Sequence, residues 1–327
     1  MRILFVGPNR IGDAVLASGL LNFLGRNYPE ARFTVACGVA PAPLFEELPG
    51  LERLIAFGKQ PRGRHWWDLW RQVSGYRWSL VVDLRRSLIP WTVLSARRAI
   101  APSLSGDDDH AIVSFSRTLG LSENPPIPHL WAGDTHRSTA LDLIPKGTRV
   151  LAIGPTANWI GKTWHAERFV ETIRRLTGLS GNTDNAVLPD AKVAIFGGED
   201  ERDAAAPVLD AIPDDRLIDL VGKIDLPTAG ACLARSALFI GNDSGLMHMA
   251  AAAGIPTLGL FGPSRPERYG PWGSCTAWVS TETPLSELIG APDYDYQTTG
   301  TLMDSLAVDT VVNASVALWR RTGGEAS

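Results

Sequence analysis

The sequence predicts an α/β protein built from two parallel sheets, each with its own core, and three observations carry that reading. Short apolar runs alternate with helical patterns from the first residues onward. The pattern breaks once, between Glu123 and Lys146, and then restarts. Alternation of this kind implies βαβ units with right-handed crossovers. The third observation is the stretch Leu238 to Gly254, an apolar run, a turn with Gly241 and Gly245, and an alanine-rich helical segment. A tight turn at the carboxyl end of a parallel strand leaves helix N–H groups pointing at the crevice where open α/β sheets bind ligands.

Arg2 to Val6 reads as a first, central strand. Gly7 to Asp13 reads as a loop and Ala14 to Asn27 as a helix, with Leu16, Leu20 and Leu24 as one stripe and Val15, Gly19 and Phe23 as its neighbour. Arg32 to Cys37 and Leu51 to Phe57 are further strands, separated by a short helix over Pro43 to Leu48. Leu80 to Leu84 is a fourth strand, ending in Arg85 and Arg86. Pro125 to Pro128 and the polar run to Pro145 read as a linker, about residues 123–146, so that domains of residues 1–145 and 146–327 are expected.

In the second half, Val150 to Ile153, Lys192 to Phe196 and Leu217 to Leu220 are strands, with helices over Ala166 to Leu176 and Thr228 to Arg235. Ala237 to Ile240 is apolar throughout, which fits a strand covered on both faces. Asp243 and Ser244 are good N-cap residues for the helix that follows, and Gly254 closes it ahead of a strand starting at Ile255. Val308 to Arg321 is a last helix anchored by Val311, Val312, Val316 and Leu318, and the chain from Gly323 onward is expected to fray.

Composition narrows the class. Of 327 residues, 45% are hydrophobic and 20% charged, as in a globular protein with a sizeable core. Three cysteines lie far apart with no CxxC, and six histidines show no ligand spacing, so neither a disulfide framework nor a metal site is expected. The run Met1 to Gly7 is too short for a secretory h-region, and no apolar stretch reaches a membrane span. A reduced, cytoplasmic protein is the expectation. The net charge of −4 is uneven: 16 basic against 13 acidic residues precede residue 146, and 15 against 22 follow. Nine basic residues between Lys59 and Arg98 face only Asp68 and Asp83. A basic face on an acidic protein suits a negatively charged partner, and solvated arginines would read the same way.

Several loops carry candidate chemistry. Gly12-Asp13 stands where the first strand turns into a helix, so Asp13 is either a cap or a general base for a substrate hydroxyl. Gly154 to Thr163 resembles a P-loop but has six residues between its glycines and Thr156 where a Walker glycine is needed. Lys162 can still serve as a point charge for a diphosphate. Glu199, after Gly197-Gly198, can hold ribose hydroxyls or only serve a helix dipole. No GxGxxG follows a strand, which leaves a nicotinamide site without support. Arg62-Gly63-Arg64 followed by His65-Trp66-Trp67-Asp68-Leu69-Trp70 fits a membrane interface, an amphipathic acceptor or a core helix edge. One aromatic cluster without a long basic groove argues against nucleic acid.

Together these residues resemble glycosyltransferase family 9, the ADP-heptose–lipopolysaccharide heptosyltransferases. The resemblance rests on Ile240 to Ala252 continuing through Leu260-Phe261-Gly262-Pro263-Ser264. In order around it stand Ile11-Gly12-Asp13, Lys162-Thr163-Trp164 before Glu167-Arg168-Phe169, Phe196-Gly197-Gly198 and Val221-Gly222-Lys223. It implies a GT-B fold, two Rossmann-like domains facing across a cleft, with acceptor on the first and nucleotide sugar on the second. It also implies an inverting, metal-independent transfer without a cofactor, with Asp13 as base and Lys162 on the donor phosphates. The donor site is then expected at Lys162, Thr156, Glu199, Asp243, Ser244, Gly245, Leu246, Met247 and His248, and the acceptor site at Gly12, Arg10, Arg62 and Arg64. Pro8-Asn9-Arg10 departs from the small hydroxyl residues usual before the Gly-Asp turn, and suits Arg10 to a phosphate or acidic sugar. Expected partners are ADP-heptose, a lipid-linked or lipopolysaccharide-core acceptor and the inner leaflet of the membrane. Transfer of another nucleotide sugar, or nucleotide hydrolysis at the Lys162 loop, are the alternatives.

Overall fold

A computed structural model describes residues 1–103, 108–179, 186–290, 294–295 and 299–323. The chain forms two compact units, Met1–Gly133 and Asp134–Ser327. The last residues expected to fray, 324–327, lie outside the described ones.

The first unit holds a five-stranded sheet in the order β3-β2-β1-β4-β5. Its strands are β1 (Arg2–Val6), β2 (Arg32–Cys37), β3 (Leu51–Ala56), β4 (Arg77–Asp83) and β5 (Leu94–Ile100). Helices α1 (Ile11–Asn27), α2 (Arg64–Val73), α3 (Ile89–Thr92) and α4 (Ala111–Ser116) connect or cover them. Every strand pairing described in this sheet is parallel. Leu4, Val6, Ala36, Val81 and Trp78 lie in one core with Leu69 and Val73 of α2. The sheet is buried where its strands are apolar, and β5 at its edge is open to solvent.

Two expectations change here. Helix α1 starts at Ile11, three residues early, so Gly12 and Asp13 lie inside its first turn instead of ahead of it. The stretch read as a linker is packed structure. A Cβ on Gly19 would stand 2.4 Å from the Pro126 carbonyl oxygen, so only glycine lets that backbone lie on α1. The His129 N–H donates to the buried Ser18 hydroxyl at 2.8 Å. The remainder, α5 (Asp134–Leu143), is a helix that packs on α8 of the second unit.

The second unit holds a six-stranded sheet in the order β11-β10-β9-β6-β7-β8. Its strands are β6 (Val150–Gly154), β7 (Lys192–Ile195), β8 (Leu217–Asp219), β9 (Leu238–Asn242), β10 (Thr257–Phe261) and β11 (Thr276–Ser280). Its helices are α5, α6 (Ala166–Thr177), α7 (Arg202–Leu209), α8 (Leu226–Leu233), α9 (Gly245–Ala252), α10 (Pro266–Tyr269), α11 (Leu285–Leu288) and α12 (Val308–Arg321). The described pairings are again parallel. Strands β6, β9 and β10 are buried along their whole length, as continuous apolar runs require. Val311, Val312, Val316 and Leu318 of α12 join the core under this sheet, as their spacing predicts. Gly254, in the left-handed region at φ +81°, follows the last turn of α9.

Both sheets have one winding pattern. In each, the strand order reverses between two central neighbours, β1 and β4 in the first and β6 and β9 in the second. The loops leaving the carboxyl ends of those two pairs diverge to opposite faces, and the crevice this opens is where such sheets bind ligands.

Candidate functional site

In the second unit the reversal point lies between the β6–α6 loop and the β9–α9 turn. Asn242 ends β9 with no solvent exposure. Its Nδ2 donates to the Pro155 carbonyl at 2.8 Å, and its Oδ1 accepts from the Trp164 N–H at 3.0 Å. One amide therefore holds both ends of the β6–α6 loop. Trp164 adds a third attachment, its Nε1 donating to the Leu306 carbonyl at 3.0 Å while its ring meets Phe169 edge-on.

The loop held in this way carries Lys162 at the end of a 3₁₀ turn, Ile160–Lys162. Its ammonium forms an ion pair with the Asp243 carboxylate. The lysine side chain is 23% exposed and the carboxylate 7%. The structure thus brings together two residues that are 81 positions apart and separately expected on the donor side. Helix α6 begins only at Ala166, so Lys162 does not open a helix as a P-loop lysine would.

Helix α9 starts beside this pair. Ser244 occupies its N-cap position with extended backbone angles, yet its side chain makes no cap hydrogen bond. The expectation that Asp243 and Ser244 cap the helix is corrected: Asp243 faces Lys162, and the Ser244 hydroxyl has no hydrogen-bond partner. Without a side-chain cap, the N–H groups of Gly245, Leu246 and Met247 are the orphan donors of the first turn. The side chains of Met247 and His248 are buried, so the helix offers backbone at Met247. Thr156, 2% exposed, and Ser264 also hold buried hydroxyls with no partner. These three lie on the loops that leave β6, β9 and β10, adjacent strands of the sheet. Leaving a buried hydroxyl unpaired costs about 1–3 kcal/mol, which a bound polar group would recover.

Glu199 stands exposed after the β7 end, in a 3₁₀ turn whose Gly198 N–H donates to Glu201 Oε2 at 2.7 Å. The loop after β8 presses on it: Gly222, at φ +69°, lies where a Cβ would be 2.8 Å from the Glu199 Cα. Asp219 next to that loop pairs with Arg202 at 2.6 Å and Lys223 at 2.7 Å. Burial pushes its carboxyl up, but hydrogen bonds from Arg202, Lys223 and the Val221 N–H outweigh burial and bring it down to about 2.

In the first unit the reversal point lies between the β1–α1 and β4–α3 loops. Arg10 is the N-cap of α1, exposed and extended, and Gly12 and Asp13 follow in the first turn. Asp83 ends β4 fully buried and accepts from the Arg85 N–H, the Ser87 N–H and the Ser87 hydroxyl at 2.7–2.8 Å. Arg85 is set by that turn. Its Nη1 donates to Asn9 Oδ1 at 2.8 Å, and its guanidinium lies 4.7 Å from the Trp66 ring centre and 5.2 Å from that of Phe57. Burial lowers the Arg85 pKa, with Asp83 opposing. Arg62 and Arg64 stand exposed at the start of α2, where Arg62 adopts φ +55° before Gly63 at φ +72°.

The Trp66-Trp67-Trp70 cluster divides. Trp66 packs on Phe57 and His65, and Trp70 donates its Nε1 to the Thr92 carbonyl at 3.2 Å. Trp67 is 58% exposed and stacks on Trp70. Sequence reasoning missed Asn242 and the Asp83–Arg85–Asn9 chain. A polar residue closing an apolar strand, as at Asn242 and Asp83, was the available signal.

The family model for glycosyltransferase family 9 (heptosyltransferase) matches residues 109–287. Lipopolysaccharide heptosyltransferase 3 of Escherichia coli K12 is 26% identical over 296 residues, covering 80% of this chain and 82% of that protein. Lipopolysaccharide heptosyltransferase 2 of Salmonella typhimurium is 23% identical over 308 residues, covering 82% and 84%. Among solved structures, E. coli ADP-heptose lipopolysaccharide heptosyltransferase II superposes with a TM-score of 0.76 at 19% identity, over 99% of this chain and 100% of that one. E. coli heptosyltransferase WaaC with ADP gives 0.69 at 15% identity, over 97% and 100%. The fold is the one these structures share, two parallel α/β sheets of the GT-B type.

Proposed function

Because this chain belongs to glycosyltransferase family 9 (heptosyltransferase), we propose that it moves heptose from ADP-heptose to a lipopolysaccharide-core acceptor. In this reading Asp13 is the general base, and Lys162 with the Asp243–Met247 turn holds the diphosphate. The observation that carries it is the Lys162–Asp243 pair at the sheet's reversal point, beside an uncapped helix and unpaired hydroxyls of Thr156 and Ser244. The two relatives are lipopolysaccharide heptosyltransferases, and one solved neighbour is described with ADP.

The chemistry follows from these groups. An acceptor hydroxyl oxygen attacks the anomeric carbon of the heptose while the bond from that carbon to the β-phosphate oxygen breaks. Attack in line with departure inverts the anomeric centre. Asp13 takes the hydroxyl proton, and ADP leaves with the bonding electron pair. Charge accumulating on the diphosphate meets the Lys162 ammonium, the first-turn N–H groups of α9 and the positive end of that helix. In the free protein Asp243 keeps Lys162 aimed at that position. Glu199 takes the ribose hydroxyls, and Thr156 gains a partner in the donor. Arg10, Gly12, Arg62 and Arg64 receive the acidic acceptor.

The reading extends to the inner leaflet of the membrane, where a lipid-linked acceptor would be met. In the first unit Leu88 is 76% exposed, Trp91 66%, Leu94 64% and Trp67 58%, and Arg71, Arg86, Arg97 and Arg98 of the same stretch of chain are exposed as well. Arg98 lies over the Trp91 ring at 5.4 Å. Exposed aromatic and aliphatic side chains among arginines suit an anionic bilayer surface. No helix of the described residues is long and apolar enough to cross a membrane.

The test is incubation with ADP-heptose and a heptose-deficient lipid acceptor in excess chelator. The expected result is acceptor heavier by one heptose and an equal amount of ADP. ADP release without glycosylated product would favour a hydrolase at the Lys162 loop. Transfer only from another nucleotide sugar would keep the transferase reading and reject heptose.

A further inference from the structure

We infer that Arg85 is a positioning residue for the reaction, acting through Asn9 to hold the turn that carries Asp13. The inference rests on the assignment of Asp13 as base made above. Four observations meet at this point. The buried Asp83 carboxylate takes three hydrogen bonds from Arg85 and Ser87, which fixes where the chain leaves β4 and where the Arg85 side chain begins. The next residue, Arg86, is held in the left-handed region at φ +54°, an uncommon conformation for arginine. The Arg85 guanidinium then rests against the faces of Trp66 and Phe57 and donates to Asn9 Oδ1 at 2.8 Å. Asn9 is also confined from behind. The Gly38 N–H donates to the Pro8 carbonyl at 3.1 Å, and a Cβ at Gly38 would lie 2.6 Å from the Asn9 carbonyl oxygen.

Asn9 directly precedes Arg10, whose carbonyl accepts the Ala14 N–H at 3.0 Å as the first hydrogen bond of α1. No side chain caps that helix at Arg10. The start of α1 is therefore set by what holds Asn9, with Gly38 on one side and Arg85 on the other. Asp13 stands one turn further on. A base displaced by about 1 Å can lose on the order of 100-fold in rate. Arginine suits the task because its planar group stacks and donates at once, which lysine's ammonium cannot reproduce.

The experiment compares Arg85→Met, Arg85→Lys, Asn9→Ala and the double variant Arg85→Met/Asn9→Ala with wild type, and with Asp13→Asn as reference. Turnover with both substrates, thermal midpoint and amide exchange of residues 7–16 are measured. We expect kcat to fall about 10- to 100-fold in each single variant with KM for either substrate within about threefold. The double variant should be no slower than the slower single one, because both changes cut one connection. Exchange in residues 7–16 should accelerate in Arg85→Met and Asn9→Ala with little change in thermal midpoint. A raised acceptor KM with unchanged kcat would make Arg85 a direct acceptor ligand and overturn the inference. Multiplying losses in the double variant, or unchanged exchange in residues 7–16, would overturn it as well. If Asp13→Asn alone turns over normally, the base assignment fails, and the exchange result still decides whether Arg85 holds the turn.

Discussion

In the proposed mechanism Lys162 and Asp243 serve both the fold and the donor phosphates, and a paired substitution separates the two. In the free protein the ammonium compensates a carboxylate that is almost wholly buried. Lys162→Ala leaves that carboxylate alone, and a loss of about 3 kcal/mol in unfolding free energy is expected. Lys162→Met with Asp243→Asn removes both charges and should recover most of that stability, as read from urea midpoints. Turnover should not recover, staying about 100-fold down, because the charge proposed to face the leaving diphosphate is gone in both variants. Recovery of activity in the double variant would mean that the pair serves only the fold. At this scale the sequence was informative about residue type. Asp13, Lys162 and Asp243 could be picked out because each reads, in the sequence, as part of a glycine-flanked loop after an apolar run. That Lys162 meets Asp243 could not be read, since it depends on β6 lying beside β9.

At the scale of elements, Asn242 joins strand to loop. Replacing it by alanine leaves the Pro155 carbonyl and the Trp164 N–H without their partner in a buried place. A loss of about 2–4 kcal/mol is expected, together with faster amide exchange across residues 155–164. Unchanged exchange there would show that Trp164 alone anchors the loop. The central strands were legible because burial on both faces demands an unbroken apolar run. Strands β5 and β11 were not, and both are sheet edges. An edge strand tolerates charge, and Arg97 and Arg98 of β5 break the apolar pattern that would have marked it. The start of α1 was misplaced because Gly12 and Asp13 look like loop residues, although a helix's first turn accepts an acid readily. The Asp83–Arg85–Asn9 chain stayed hidden because it too needs the neighbourhood of β1 and β4.

For the whole molecule, the uneven charge visible in the sequence acquires a location in the structure. The arginine-rich stretch between residues 62 and 98 also carries exposed Leu88, Trp91, Leu94 and Trp67, three of which lay outside the aromatic cluster noted from sequence, and Arg98 lies over the Trp91 ring. The protein is expected to sediment with vesicles of phosphatidylethanolamine and phosphatidylglycerol, and not with phosphatidylcholine alone. Leu88→Ser with Trp91→Ser should weaken that binding about 10-fold or more, and added salt should weaken it further. Unaltered binding by the variant would place the docking face elsewhere.

The central claim is that Asp13 removes the acceptor proton. The direct measurement is kcat for heptose transfer from ADP-heptose, wild type beside Asp13→Asn, with ADP-heptose affinity measured separately on each. The account predicts that kcat falls by about 100-fold or more, as for a lost general base, while donor affinity is unchanged. Equal turnover in the two proteins would reduce Asp13 to a helix-terminus carboxylate and leave the base to be sought among other residues.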